Sequence, residues 1–286
     1  MNDILIVVGM HFLFTLTFGG IVGFSLGLTG GGGAIFAVPL LVYGLGVGPR
    51  EAVGISLAAV GVTSFVGFWG RWRTKQVEIR TGLVFAVAGM LGAPVGSWLS
   101  GLIPETVLLT LFSLLMLIVA LRMWSTAAET ASVGLPAACS TETVDVDGPT
   151  CRRDHDGKLL LTSKCAWLLM AVGVTTGVLS GLFGVGGGFV IVPALVLFSG
   201  MAIHRAVGTS LLVIALVSIS GIASHLIAGR AISIETTALF VVGGMVGMLR
   251  GNLAGRRLSG PALQKVFAVA IVAVALFVFV RTVFLP

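Results

Sequence analysis

Apolar runs approaching or exceeding the length of a bilayer crossing recur along almost the whole chain, at 4–26, 52–70, 81–100, 106–124, 165–182, 206–228, 236–249 and 262–280. About 20 apolar residues in a helix span the hydrocarbon core of a membrane. Lipid offers backbone N–H and C=O groups no partner, so such runs must satisfy their own hydrogen bonds as helices. The run from 236 is the shortest and reaches a full span only by continuing past Arg250. Two shorter runs, 34–47 and 189–203, cover only about 20 Å as helices and read as half-length or re-entrant segments. Composition agrees: 57% of the 286 residues are hydrophobic and 10% charged, too little polar surface to cover a soluble core of this size. The expected fold is therefore an all-α integral membrane protein with about 8–10 hydrophobic segments. The first run follows Met1-Asn2-Asp3, which carries an acid where a signal peptide carries bases, so it is expected to stay as a span.

Both short runs follow a cluster of glycines, GLTGGGGAIFAVP at 27–39 and GLFGVGGGFVIVP at 181–193. Glycine is the poorest helix former after proline, so each cluster should break a hydrophobic helix. The recurrence is a duplication. At an offset of 154, Gly27, Gly30, Gly32, Gly33, Pro39 and the AVGISL stretch at 52–57 fall on Gly181, Gly184, Gly186, Gly187, Pro193 and AVGTSL at 206–211. Farther on, Gly89-Met90 and Gly92 match Gly244-Met245 and Gly247 at an offset of 155. Residues 1–124 and 164–286 thus read as two transmembrane repeats, joined by a polar linker at 125–163. The linker region contains Cys139, Cys151 and His155, with Cys165 just beyond it, but no CxxC pair; no metal site and no cofactor are expected.

Charge orients the halves. If the chain reverses at its glycines and is back on its starting side by residue 49, thirteen basic side chains fall on one face and only Arg50, Arg230 and Arg281 on the other. If residues 4–47 cross once instead, the split is eleven to five. The positive-inside rule prefers the first arrangement. It makes the two repeats inverted, with both termini outside and the linker cytoplasmic.

Inverted repeats with a broken helix in matching places point to a secondary transporter whose site lies near the midplane. Glycine breaks leave backbone N–H groups that a membrane tolerates only where they line a cavity or meet a ligand, and helix N-termini aimed there favour an anion. The candidate substrate-binding residues are Gly30, Gly32, Gly33, Gly184, Gly186 and Gly187, with the hydroxyls of Ser56, Thr209 and Ser210 from the second repeated element. The bland alternatives are close helix packing for the glycines and a bond to a backbone carbonyl one turn back for the hydroxyls. Arg250 and Asn252 lie within a span and suit an oxyanion, although Arg250 is near enough to the basic end of its helix to snorkel. His225 is the candidate for proton coupling, set against an ordinary interfacial histidine. The spans show no nucleophile with a paired base and no His/Asp/Glu cluster at metal-ligand spacing, so an enzyme is not expected.

The paired GLxGxGGG motifs followed by proline, the AVG(I/T)SL element after each, the duplication and the central linker resemble the TauE/SafE sulfite exporter family of bacterial membrane transporters. The resemblance implies export of sulfite or small organosulfonates such as sulfoacetate across the cytoplasmic membrane. By position it points to Gly30, Gly32, Gly33, Pro39 and Ser56, then Gly184, Gly186, Gly187, Pro193, Thr209 and Ser210. The expected partners are a small oxyanion, the lipid bilayer and, for coupled flux, protons. No nucleic acid is expected, and a homodimer is an open assembly. An anion channel, a proton-coupled importer and a non-transporting membrane partner of a sulfur-metabolism enzyme are the alternatives.

Overall fold

The computed structural model describes residues 2–132, 163–199, 201, 203–255 and 260–284, and no strand occurs among them. The first half comprises α1 (Asn2–Thr29), a short α2 (Gly32–Gly44), α3 (Pro49–Arg73), α4 (Ile79–Leu102) and α5 (Glu105–Ser132). The second comprises α6 (Ser163–Phe183), a short α7 (Gly188–Ser199), α8 (Ile203–Ile227), α9 (Ile234–Gly255) and α10 (Gly260–Phe284). Met10–Thr29, Pro49–Arg73, Ile79–Leu102, His204–Ile227 and Ile234–Ala254 are each long and apolar enough to cross a membrane. One boundary differs from the sequence reading. Residues 125–132, expected to open the linker, continue α5, because Ala127, Ala128 and Glu129 are strong helix formers. Residues 133–162, with Cys139, Cys151 and His155, lie outside the described residues.

Local chemistry sets the helix ends. Pro49 opens α3 at a position that needs no N–H, Glu51 sits in its first turn and Arg71 and Arg73 in its last, the charge order that the helix dipole favours. At the far end of α3, Phe65, Phe68, Trp69 and Trp72 form a chain of ring contacts with Arg73 over the Trp69 ring, a composition suited to a membrane interface. The two short helices are built differently. α7 is a regular helix, whereas α2 runs from a 3₁₀ turn through one α turn into a π turn at Leu40–Gly44, directly after Pro39, whose missing N–H interrupts the regular ladder.

Small residues hold the bundle together. Gly19, Gly23 and Gly27 of α1 lie against the carbonyls of Phe240, Gly244 and Met248 of α9, so closely that no side chain fits between. Gly173, Gly177 and Gly181 of α6 lie in the same way against Phe85, Gly89 and Ala93 of α4. Every residue of the second set is the duplication mate of one in the first. Lipid gives helices no hydrophobic reason to associate, so this approach gains its energy from backbone-to-backbone dispersion. The central pair is α3 and α8, where Gly54 faces His225, Gly61 faces Ser218 and Gly67 faces Leu211, which makes these two duplicated helices antiparallel. Leu91, Trp98, Leu121, Trp167 and Ile219 project from the outside of the bundle, as a lipid-facing surface requires.

Candidate functional site

Each glycine cluster ends its long helix by turning the backbone into the left-handed region. Gly30 and Gly184 both have φ +71°, and the N–H of each still closes the preceding helix, donating to Leu26 O or Ser180 O at 2.8 Å. After that the two differ. The first break needs one more unusual residue, Gly31 at φ +152°, and enters α2 at once; the second passes through Gly186 and Gly187, at φ +68° and +67°, before α7 begins. The uninterrupted glycine run stands at 30–33 in the first copy and at 186–188 in the second, and this sequence difference is a difference in path.

The breaks meet. A Cβ on Gly31 would lie 2.7 Å from Gly188 Cα, and one on Gly188 would lie 2.6 Å from Gly31 Cα, so the turn of one half rests on the backbone of the other. Residues 30–33 and 184–188 are all buried. Gly33 N–H donates to Thr29 Oγ1 at 3.1 Å, but the amides of Gly31, Val185 and Gly186 find no partner among the described residues. Unpaired buried N–H groups are rare in any protein and costlier in a membrane.

Ser56 and Ser210 join the halves reciprocally. Ser56 Oγ donates to Gly184 O at 2.6 Å, across from the first half to the second, and Ser210 Oγ lies 2.6 Å from Gly30 O, across from the second to the first. Ser210 also has Val207 O of its own helix at 2.9 Å. Both hydroxyls are fully buried. The surrounding valines keep the same symmetry: Gly30 sits against Val207 and Gly184 against Val53.

Other sequence candidates lie apart from this centre. Thr209 faces the α3–α4 turn, where its Oγ1 accepts from Glu78 N–H at 3.0 Å. His225 is fully buried against Gly54, toward the end of α3 where Arg50 stands. Asn252 is half-buried on α9 with its backbone beside Gly27, and Arg250 is exposed on the same helix. That exposure suits a side chain that snorkels. Arg250→Gln is expected to leave the half-saturating substrate concentration within about twofold of wild type, since an exposed charge contributes about 0–1 kcal/mol. A tenfold rise in that concentration would return Arg250 to the site.

Two groups of residues were not singled out from sequence. Ser64 and Ser218, duplication mates on α3 and α8, are fully buried with hydroxyls that lack partners among the described residues, and Ser218 approaches the position of Gly186. At the opposite pole Arg230 Nη2 donates to Ser97 O at 2.9 Å, and Arg50 Nη2 reaches Gly101 O at 3.4 Å and Ile103 O at 3.3 Å. Burial, and then the like charge of Arg50, lower the pKa of Arg230 below the ordinary guanidinium value. The sequence signal was present, because Arg50 and Arg230 are two of the three exceptions to the charge asymmetry.

The sequence model of the family described as Sulfite exporter TauE/SafE matches residues 15–278. A probable membrane transporter protein of Xylella fastidiosa (strain Temecula1) is 37% identical over 274 residues, 94% of this chain and 95% of the relative. The probable membrane transporter protein YunE of Bacillus subtilis is 26% identical over 270 residues, 92% and 95% of the two chains. An archaeal relative, a probable membrane transporter protein of Methanocaldococcus jannaschii, is 28% identical over 249 residues, 82% of this chain and 73% of the other. No solved structure matches the chain.

Proposed function

The chain belongs to the Sulfite exporter TauE/SafE family, and from that premise we propose that this multi-pass membrane transporter exports sulfite or a small organosulfonate such as sulfoacetate by alternating access. The observation that carries the reading is the meeting of two glycine breaks at the centre of the bundle, with the N–H groups of Gly31, Val185 and Gly186 there finding no partner among the described residues. An oxyanion is the natural partner for such groups, because backbone donors at the mouths of two short helices add dipoles of the right sign. Gly30, Gly32, Gly33, Gly184, Gly186 and Gly187 shape this cradle, while Ser56 and Ser210 fix each break to the opposite half. The contact of Gly31 with Gly188 closes the space between the breaks and so favours a carrier between its open states over a pore.

Antiparallel packing of the duplicated helices α3 and α8 supports the inverted relation of the halves, and the excess of basic side chains on one face supports both termini outside and the linker in the cytoplasm. In that orientation an inside-negative membrane potential drives an anion outward by about 2.3 kcal/mol per charge per 100 mV. Export then needs no coupling ion.

The test is counterflow. Proteoliposomes loaded with unlabelled sulfite should accumulate labelled sulfite or sulfoacetate transiently and saturably. Absence of counterflow with any sulfur oxyanion refutes the proposed cargo, and flux that neither saturates nor shows counterflow refutes the carrier mechanism in favour of a channel.

A further inference from the structure

Four polar nitrogens with no hydrogen bond among the described residues lie near the ends of α3, α4 and α8: Arg50 Nε, Arg230 Nη1, and both ring nitrogens of His225, whose carbonyl accepts from Arg230 N–H at 3.4 Å. The hydroxyls of Ser97 and Ser100, on the last turns of α4, are buried and unpartnered as well. Contacts tie the group together. Arg230 and Arg50 both bond carbonyls in the last turns of α4, and Arg230 enters where Gly101 has no side chain, a Cβ there lying 2.5 Å from Nη2. Helix capping explains one nitrogen of each arginine. It does not explain two guanidiniums brought together on one helix end with nitrogens to spare, beside a fully buried histidine whose ring bonds nothing among the described residues.

The nearby acids balance only part of this charge, on the Arg50 side. Glu105 lies 3.8 Å from Arg50 Nε, and Glu51 Oε1 accepts from Ser233 N–H at 3.1 Å. Among the described residues no carboxylate comes within ion-pair distance of Arg230. A half-buried cation bonded only to a neutral carbonyl and facing a second cation is stabilised by an anion from outside the chain.

We infer that Arg50, Arg230 and His225 form a second oxyanion subsite, at the end of the path between the glycine breaks and the outer face. Along α3 the order is Arg50, then Gly54 against His225, then Ser56 on Gly184 O; residues 50 to 56 span about 9 Å of helix. The subsite is thus one step from the centre, near enough to receive an anion that leaves the breaks. It is also one-sided, since the duplication mates of Arg50, His225 and Arg230 are His204, Arg71 and Gln76, which replace the second guanidinium by a neutral amide. This inference rests on the proposed oxyanion transport and gives the outward path its own receiving charge.

The test uses right-side-out and inverted membrane vesicles containing the full chain, with sulfite supplied to the outer or the inner face. Arg230→Gln should raise the half-saturating concentration from the outer face about tenfold or more, the loss of one charge-assisted hydrogen bond, and leave the inner-face value within about twofold. Arg230→Lys, which keeps the charge, should recover part of the loss, and His225→Gln should shift the outer value in the same direction. No change in Arg230→Gln, or an equal change from both faces, overturns the subsite. If the Arg230 variants fail to fold, Arg50→Gln takes their place with the same two readouts. If the wild type moves no sulfite, the transport reading fails separately, and equilibrium binding of labelled sulfite and sulfate to the purified chain decides the subsite: binding lost in Arg230→Gln supports it, whereas equal binding or none overturns it.

Discussion

Gly31→Ala is expected to abolish counterflow while leaving a folded, membrane-inserted protein of reduced thermal stability. Two effects combine at this position. Its φ of +152° belongs to a region that side chains rarely enter, at a cost of about 1–3 kcal/mol. The new Cβ would also stand 2.7 Å from Gly188 Cα and 2.8 Å from that residue's carbonyl, all backbone that cannot rotate away, so relief requires the two breaks to separate. Separation disperses the unpaired N–H groups that are proposed to hold the anion. Gly46→Ala separates the two effects, because Gly46 also has a left-handed φ, +68°, yet a Cβ there meets nothing within 4 Å. It should lower stability by about 1–2 kcal/mol and transport normally. Counterflow at the wild-type rate in Gly31→Ala would refute a site at the junction of the breaks. Melting temperature in detergent, measured beside flux, distinguishes loss of function from loss of fold.

Much of this geometry was legible in the sequence. Glycine clusters at a fixed offset, each before a short apolar run with a proline, have few meanings inside a membrane, and both do end a long helix and start a short one. The family likewise followed from motifs that occur twice. What stayed hidden were relations between distant positions. Nothing local marks Ser56 as a donor to Gly184 O, 128 residues away, so the plain expectation was either a ligand contact or a bond one turn back. Thr209 and Ser210 are adjacent in one motif, yet neighbours on a helix point about 100° apart, and only Ser210 faces a break. Gly27 and Gly181 stand at the head of the two motifs but belong to the stripes that pack α1 on α9 and α6 on α4. Arg50 and Arg230 were legible only as exceptions to a charge rule. Their significance needs the three-dimensional contact with α4.

Those reciprocal bonds lead to the second large effect, in the double variant Ser56→Ala, Ser210→Ala, in which counterflow should fall to background. Each hydroxyl satisfies a buried carbonyl of the opposite half, and removing it leaves that carbonyl unpaired at a cost of about 1–3 kcal/mol. Ser56→Ala alone should cost at least as much as Ser210→Ala, because the Ser56 bond has a single acceptor at 2.6 Å whereas Ser210 divides its hydroxyl between Gly30 O and Val207 O. The kinetics of the single variants separate two roles. A hydroxyl that braces a break lowers the maximal rate and the melting temperature together and barely changes the half-saturating concentration. One that contacts the anion raises that concentration with the melting temperature unchanged. The bracing pattern is the expected one, since both hydroxyls already point at carbonyls, and the opposite pattern in either single variant would make that serine a ligand and transfer the task of holding the breaks to other contacts.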